Sequence, residues 1–497
     1  MRVTIASRRS DLARIQAYQV GEALETAHPQ IEINYSFHES LGDRNQNDPL
    51  WQMPEKGVFT QDFREGLLRG DFDLVVHSWK DLAIEEDPET EIAASLPRAD
   101  ARDLLLVRED RWKEVERTGV MTILTSSPRR SYNLESFLRV ALPARLHQLN
   151  FTNVRGNVPT RVRKLLELET DGLIVAKAAL DRLLAAKQSE FAATREELRQ
   201  ALSQCRWMVL PLRENPAAPA QGALAIEIVR RRADLRELLL PLNCDDTFTA
   251  VTRERDILRG YGGGCHQKIG TSVLRRPCGE ITFLRGLTDD GRVLDGCALR
   301  PSRPRPAKIS TEQLWPLQSS DSDWFKREAI SVEPPADTTD LWIAKADALP
   351  DDWCPTGGQI VWASGAQTWK RLARRGIWVC GCAERLGEQE PQNIATLAGK
   401  DLQWLKLTHA AGFDQGTMPV LATYRLIPKD DHLDLEGKKY FFWKSGSSFE
   451  YALSLNPWIE SMTHFCGPGN TQQILEQNGV RPHVFLDHKQ WLEEMSL

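Results

Sequence analysis

The sequence has 497 residues, 41% of them apolar and 27% charged, with a formal net charge of −6. That length exceeds one ordinary core and that balance excludes a disordered chain, so two to four soluble globular domains are expected. No run of about 18 apolar residues occurs, which excludes a membrane-spanning helix, and the acidic balance draws neither nucleic acid nor an anionic membrane surface.

The opening MRVTIASRRSDLARIQ lacks the apolar core of a signal peptide and reads as a strand running into a helix, so a cytoplasmic location is expected. Val3 to Ala6 form the strand, and Leu12, Ile15, Ala17 and Val20 recur near helical spacing after Asp11. Phe59, Phe63 and Leu67 share one helix face that Gly70 ends, and residues 73–77 make a compact buried strand. Short apolar strands recur at 121–124, 173–176 and 223–229, which predicts α/β layers with mostly parallel sheets. The charged stretch 186–213 reads as an elaboration between core elements. At 300–306 the sequence RPSRPRP breaks the pattern, a polar run covers 318–323, and Pro334-Pro335 follows, together the composition of a semi-rigid linker. Eleven of the fifteen Trp lie after residue 310, which marks the rest as a separate module. No short internal repeat is visible. The nine Cys read as reduced thiols, and the spacing of Cys380 and Cys382 is poor for a zinc site, so no metal is expected.

Ligands in open α/β sheets gather at the carboxyl ends of strands, and three such ends here carry unusual polar groups. His77-Ser78-Trp79-Lys80-Asp81 offers a cation and a carboxylate, the alternative being a surface ion pair. Thr125-Ser126-Ser127-Pro128-Arg129-Arg130 combines a helix N-terminus with two guanidinium forks. Arg155-Gly156-Asn157-Val158-Pro159-Thr160-Arg161, extended by Arg163 and Lys164, has four basic residues and no acidic one. Arg8 and Arg9 follow the first strand. Four basic clusters at strand-to-helix junctions point to a cleft for a ligand with several negative charges, carboxylate or phosphate. No Walker A or G-x-G-x-x-G string accompanies them. Gly262-Gly263-Gly264-Cys265-His266 leaves a thiol on an open backbone, either an inert Cys or a reactive one.

These strings, IASRRSDLARIQ, EKGVFTQDFREGLLRGDFDLVVHSWKDL, TSSPRR, VRGNVPTRVRKL, AQGALAIEI and GGGCHQKIG, closely resemble the porphobilinogen deaminase family over about residues 1–300. The resemblance implies two lobes similar to those of periplasmic binding proteins (1–97 with 221–240, and 98–220) and a small α/β domain at 241–300. It implies condensation of four porphobilinogen units with release of ammonia, on a dipyrromethane cofactor held by a thioether to Cys265. By the same resemblance Asp81 is the catalytic carboxylate, aided by Lys80. Arg129, Arg130, Ser126 and Ser127, with Lys80 and Asp81, hold the cofactor, and Arg8, Ser10, Arg155, Arg161, Arg182 and Phe59 bind substrate, with Lys56 nearby. Carboxylates then replace phosphates as the expected anions. The sequence departs from the family pattern at Pro128, at Leu82-Ala83, at Lys177 and Ala179, where a small or apolar residue and Gly are typical, and at His266-Gln267-Lys268.

Beyond a linker at 301–339, residues 340–497 resemble the uroporphyrinogen-III synthase family in Val361-Trp362-Ala363-Ser364-Gly365, Ala422-Thr423-Tyr424, the 442–447 string and Cys466-Gly467-Pro468-Gly469-Asn470-Thr471. The stretch is shorter than that family's two full lobes. The resemblance implies closure of the linear product into a macrocycle, with Tyr424 assisting loss of its hydroxyl and Ser445 and Thr471 facing substrate. Small-molecule substrates, no nucleic acid, no membrane and a monomer are expected. The alternatives are a deaminase with an inactive C-terminal module, or an anion-binding protein without chemistry.

Overall fold

The computed structural model describes residues 1–39, 61–262, 267–318, 323–412, 416–429 and 432–497. Lys56, Phe59 and Cys265 lie outside the described residues, and so do the roles expected for them.

β1 (Arg2–Arg8), β2 (Glu32–His38), β3 (Leu74–Ser78) and β4 (Thr90–Ala94) belong to a first sheet. β5 (Asp103–Arg108), β6 (Val120–Leu124), β7 (Gln148–Thr152), β8 (Gly172–Ala176) and β9 (Cys205–Val209) form a second, and β10 (Leu224–Val229) returns to the first. The orders are β2-β1-β3-β10-β4 and β7-β6-β8-β5-β9. In each, three parallel strands are followed by an antiparallel pair built on a strand that has just crossed from the other lobe. The two lobes thus share one topology without any repeat in sequence. Residues 205–209, read as part of an elaboration, are instead an edge strand of the second sheet, paired with β5 along its length.

Burial explains why these segments are strands. Val3 and Ile5 of β1 and Leu74 and Val76 of β3 are buried, and the helix Asp11–Ala27 lays Val20 and Leu24 on them. Each fully buried aliphatic side chain contributes about 1.5–3 kcal/mol. Gly222, at φ +89°, sits at the second crossing. A Cβ there would come within 2.5 Å of the Ala99 carbonyl oxygen on the first. The two crossings therefore touch backbone to backbone.

β11 (Gly270–Arg276), β12 (Gly279–Leu287) and β13 (Val293–Pro301) make an antiparallel sheet packed against the helix Asp245–Arg259. The C-terminal part contains β14 (Leu314–Trp315), β15 (Phe325–Ala329), β16 (Asp340–Ile343), β17 (Val361–Ala363), β18 (Gly381–Cys382), β19 (Trp404–His409), β20 (Val420–Pro428), β21 (Tyr440–Trp443), β22 (Thr463–Cys466) and β23 (His483–Val484). They form two sheets, β15-β20-β19-β16-β17-β18 and β14-β21-β22-β23. The expected linker 301–339 is corrected here. It supplies β14 to one sheet and β15 to the other, because Leu314 and Trp315 bury against the core beside β21. With those strands the C-terminal part holds one sheet of six strands and one of four. Among the described residues no helix is long and apolar enough to cross a membrane, and no group of three or more His, Cys, Asp or Glu could hold a metal ion.

Candidate active site

After β3 the chain turns once through Trp79–Asp81. Trp79 is buried against Phe248, their rings 5.1 Å apart, and this anchor aims the next two residues outward. Lys80 and Asp81 enter a cavity of about 430 Å³ between the two lobes. The same cavity is lined by Arg8 and Ser10 from the end of β1, and by Arg130, Arg155, Arg161 and Arg182 from the second lobe. With Lys164 the lining holds seven cationic side chains against the carboxylates of Asp11 and Asp81. Asp11 is already paired with Arg14 at 2.9 Å.

Local sequence explains the aim of these groups. Ser127 caps the helix Pro128–Ala141, and Asn157 caps Val158–Glu167 by accepting the Thr160 N–H at 2.9 Å. Pro128 and Pro159 fall in the first turn, where a missing N–H costs nothing, so the departure at Pro128 is absorbed by the fold. The Ser126 hydroxyl donates to the Val154 carbonyl at 2.7 Å and accepts from its N–H at 2.9 Å. That ties together the two loops carrying the arginines.

Arg129 is a correction to the expected constellation. Its guanidinium leaves the cavity and donates to Asn215, to the Pro216 carbonyl and to Asp103. Ser126 and Ser127 likewise bind loop and helix backbone and do not line the cavity. Tyr424 is buried in β20 of the C-terminal module, its ring 5.7 Å from His409, and takes no part in this site.

Beneath the arginines lies a group that no motif in the sequence announces. Asp103, fully buried at the start of β5, accepts from Arg129, Arg130, Asn215 and Gln221 at 2.6–3.0 Å. Burial alone would raise its carboxyl, but Arg130 and Arg129 hold it far below the usual carboxylate range. Gln221 also approaches Lys80 Nζ at 3.5 Å, so one amide joins the buried carboxylate to the cavity lysine. Its only advance signal was the acid heading the apolar run Asp103-Leu104-Leu105-Leu106-Val107.

The cavity wall is electrostatically unbalanced. Burial, then Arg130 and Arg161, push Lys80 down, with Asp81 and Asp103 opposing. Arg161 is pushed down to about 10 by burial, Arg130 and Arg155, and Arg182 to about 10 by burial. Crowded cations that disfavour their own charge are relieved by a polyanion. A dipyrromethane bears four carboxylates, so the residues present fit that group. Lys80 and Arg130 would hold it, beside the exposed carboxylate of Asp81, which interacts with Lys80 and Arg161.

Residues 3–237 match the family model described as porphobilinogen deaminase, dipyromethane cofactor binding domain. The chain is 30% identical over 298 residues to the porphobilinogen deaminase of Clostridium novyi (strain NT), covering 59% of this chain and 91% of that one. It is 37% identical over 303 residues to that of Acidothermus cellulolyticus, covering 57% and 82%. The chain belongs to the porphobilinogen deaminase family. Its cofactor-binding part is the dipyrromethane-binding domain of that family. A solved structure, the BenM effector binding domain with its effector benzoate, is similar only at 13% identity and a TM-score of 0.25, over 52% of this chain and 93% of that one. Of the expected site residues the cavity joins Arg8, Ser10, Lys80, Asp81, Arg130, Arg155, Arg161 and Arg182, while Arg129, Ser126 and Ser127 bond to the surrounding protein.

Proposed function

We propose that this chain is a bifunctional tetrapyrrole enzyme, a porphobilinogen deaminase whose C-terminal module cyclises the linear product. Deaminase function follows from the family, and the cation-lined cavity beside Asp81 is the observation that carries it onto named residues. The proposed division is 1–97 with 221–240, 98–220 and 241–300 for the deaminase, with the cyclising module beginning at β14.

When bound, the dipyrromethane supplies the nucleophilic pyrrole carbon at which the chain grows. Arg8, Arg155, Arg161 and Arg182 bind the acetate and propionate carboxylates of porphobilinogen through fork-shaped donors. Lys80 and Arg130 hold cofactor carboxylates, and Ser10 orients a substrate carboxylate. Asp81 stabilises positive charge on the reacting pyrrole and carries a proton between ring nitrogen and departing amine. Its place for this is the cavity wall, which it shares with Lys80, Arg130 and Arg161.

The C-terminal reading rests on the meeting of two sheets at their carboxyl ends. His409, ending β19, shares a 2.9 Å hydrogen bond with Ser447 from the helix Gly446–Leu455 of the other lobe. Gly387 and Gly469 bring the two lobes to backbone contact, a Cβ on either falling within 2.8 Å of the other's Cα. Lys345, Arg327 and Arg385 lie at this junction near Tyr424, cations suited to a polycarboxylate product. Tyr424 stands against His409 there as the group assisting loss of the product hydroxyl.

The test is incubation of the purified chain with porphobilinogen alone, followed by oxidation and separation of the uroporphyrin isomers. Isomer III as the main product supports both modules. Isomer I alone removes the cyclase reading, and no uroporphyrin removes the deaminase reading. Asp81→Asn is expected to fold and lose at least 100-fold in turnover. Intact mass is expected to show the covalent dipyrromethane, and Cys265→Ala to lack it.

A further inference from the structure

We propose that the C-terminal module is a working part of the deaminase: it closes the open sheet edge of the second lobe and, through Lys177, fixes the helix that carries Arg182.

β9 is the outer strand of the second-lobe sheet, and an uncovered outer strand leaves a row of N–H and C=O groups unpaired. Here the Val209 N–H donates to the Cys380 carbonyl at 2.8 Å, beside β18, which is itself the outer strand of the six-stranded sheet. The Trp378 indole donates to the Trp207 carbonyl at 3.0 Å. The two sheets therefore meet edge to edge. Helices continue the match above them, with Pro128–Ala141 packed on Ala366–Arg374. Trp369 is fully buried at that contact, donates to the Ala141 carbonyl at 2.9 Å and meets the Phe137 ring at 5.4 Å. Two hydrophobic cores run without interruption through the junction. This is a domain interior, not a surface contact.

The polar key to the junction is a residue that departs from the family pattern. Lys177 opens the helix Lys177–Ala185 where a small or apolar side chain is typical, and it is fully buried. A buried ammonium is tolerated only with close acceptors on every side. Two come from the deaminase, Asp181 at 2.5 Å and Asp100 at 3.5 Å, and the third is the Asn393 carbonyl of the C-terminal module. Arg102 reaches the adjacent Gln392 carbonyl at 2.8 Å while pairing with Asp100. Backbone 392–393 thus rests on two elements at once. One is the helix bearing Arg182, and the other is the crossing that leads into Asp103, the acceptor for Arg129 and Arg130. The extra module and the unusual lysine explain each other: each supplies what the other lacks.

The experiment uses the full chain with a specific protease site inserted after Arg303, in an exposed stretch. After cleavage the two parts are expected to co-elute in gel filtration without denaturant, with KM for porphobilinogen within twofold of the uncut chain. Lys177→Met in the cut chain is expected to weaken their association at least tenfold and to raise KM more than it lowers kcat, with Lys177→Arg recovering part of both. Should Lys177→Met fail to fold, Arg199→Ala removes donors to the Thr396 and Leu397 carbonyls from the same junction and is read for the same weakening of association. Parts that separate without denaturant, or a substituted junction that associates and turns over as the parent does, overturn the proposal.

Discussion

Asp103 shows how far a site's control can lie from the residues that face its ligand. Its acceptors are served by donors 26, 27, 112 and 118 positions away in sequence. No local pattern could have assembled them, and a lone acid heading an apolar strand reads as a strand-end cap. The cavity cations were legible for the opposite reason. Each stands next to its own strand end, so Arg8, Lys80, Asp81, Arg130, Arg155 and Arg161 were found by locating strands. Arg129 misled because adjacency in sequence says nothing of direction: on a helix, neighbours point about 100° apart, and only one of the pair reaches the cavity. Replacing Asp103 by Asn would leave two buried guanidiniums without a counter-charge. Asp103→Asn is expected to lose about 3–5 kcal/mol of stability, measured by urea unfolding, and to purify with a reduced fraction of the cofactor mass. A variant as stable and as fully loaded as the parent would show that Asp103 does not position the arginines.

Elements differ in legibility by length and by where their partners come from. β3 and β8 are apolar and buried on both faces, so their sequences announce them. β14 and β18 have two residues each and exist because a neighbouring strand offers them pairing, which no short string encodes. β18 leads into Glu384, which accepts the Arg213 N–H across the junction at 2.9 Å. Burial pushes the Glu384 carboxyl up to about 7, with Glu390 and Asp100 adding to the shift and the Arg213 N–H and Arg102 opposing it. Its folded value therefore lies above its unfolded one, so the folded chain holds the extra proton between about pH 4.5 and 7. The neutral form is favoured by folding, and stability from this group falls as pH rises through that window. Urea midpoints are expected to drop from pH 5 to pH 7.5 by the equivalent of about 1–3 kcal/mol more in the parent than in Glu384→Gln. An identical pH dependence in both would remove Glu384 as the cause.

The whole molecule is tied together unevenly, and this sets where it can move. The C-terminal module shares cores with the second lobe and touches the three-stranded sheet, where Arg276 pairs with Glu390 and Val484 packs with Ile281 and Phe283. The first lobe has a core of its own, built from β1, β3, β10 and the helix Asp11–Ala27. Two crossings join it to the rest, the helix Asp11–Ala27 also packs on Lys177–Ala185 and Trp79 on Phe248, and the cavity lies across that seam with Asp81 on one side and Arg155, Arg161 and Arg182 on the other. Sequence could not reveal this, since a shared lobe topology arises from strand order and not from repeated residues. Unfolding is therefore expected in two steps, the first lobe apart from a unit of second lobe and C-terminal module. Trp369→Ala removes a fully buried ring from that shared core, a loss of about 3–5 kcal/mol. Calorimetry of the full chain should show it lowering the transition of the shared unit while the first-lobe transition stays in place. Should the C-terminal module melt alone in Trp369→Ala and the second lobe keep its parent midpoint, the two are separate bodies and the seam between lobes is not the molecule's principal hinge.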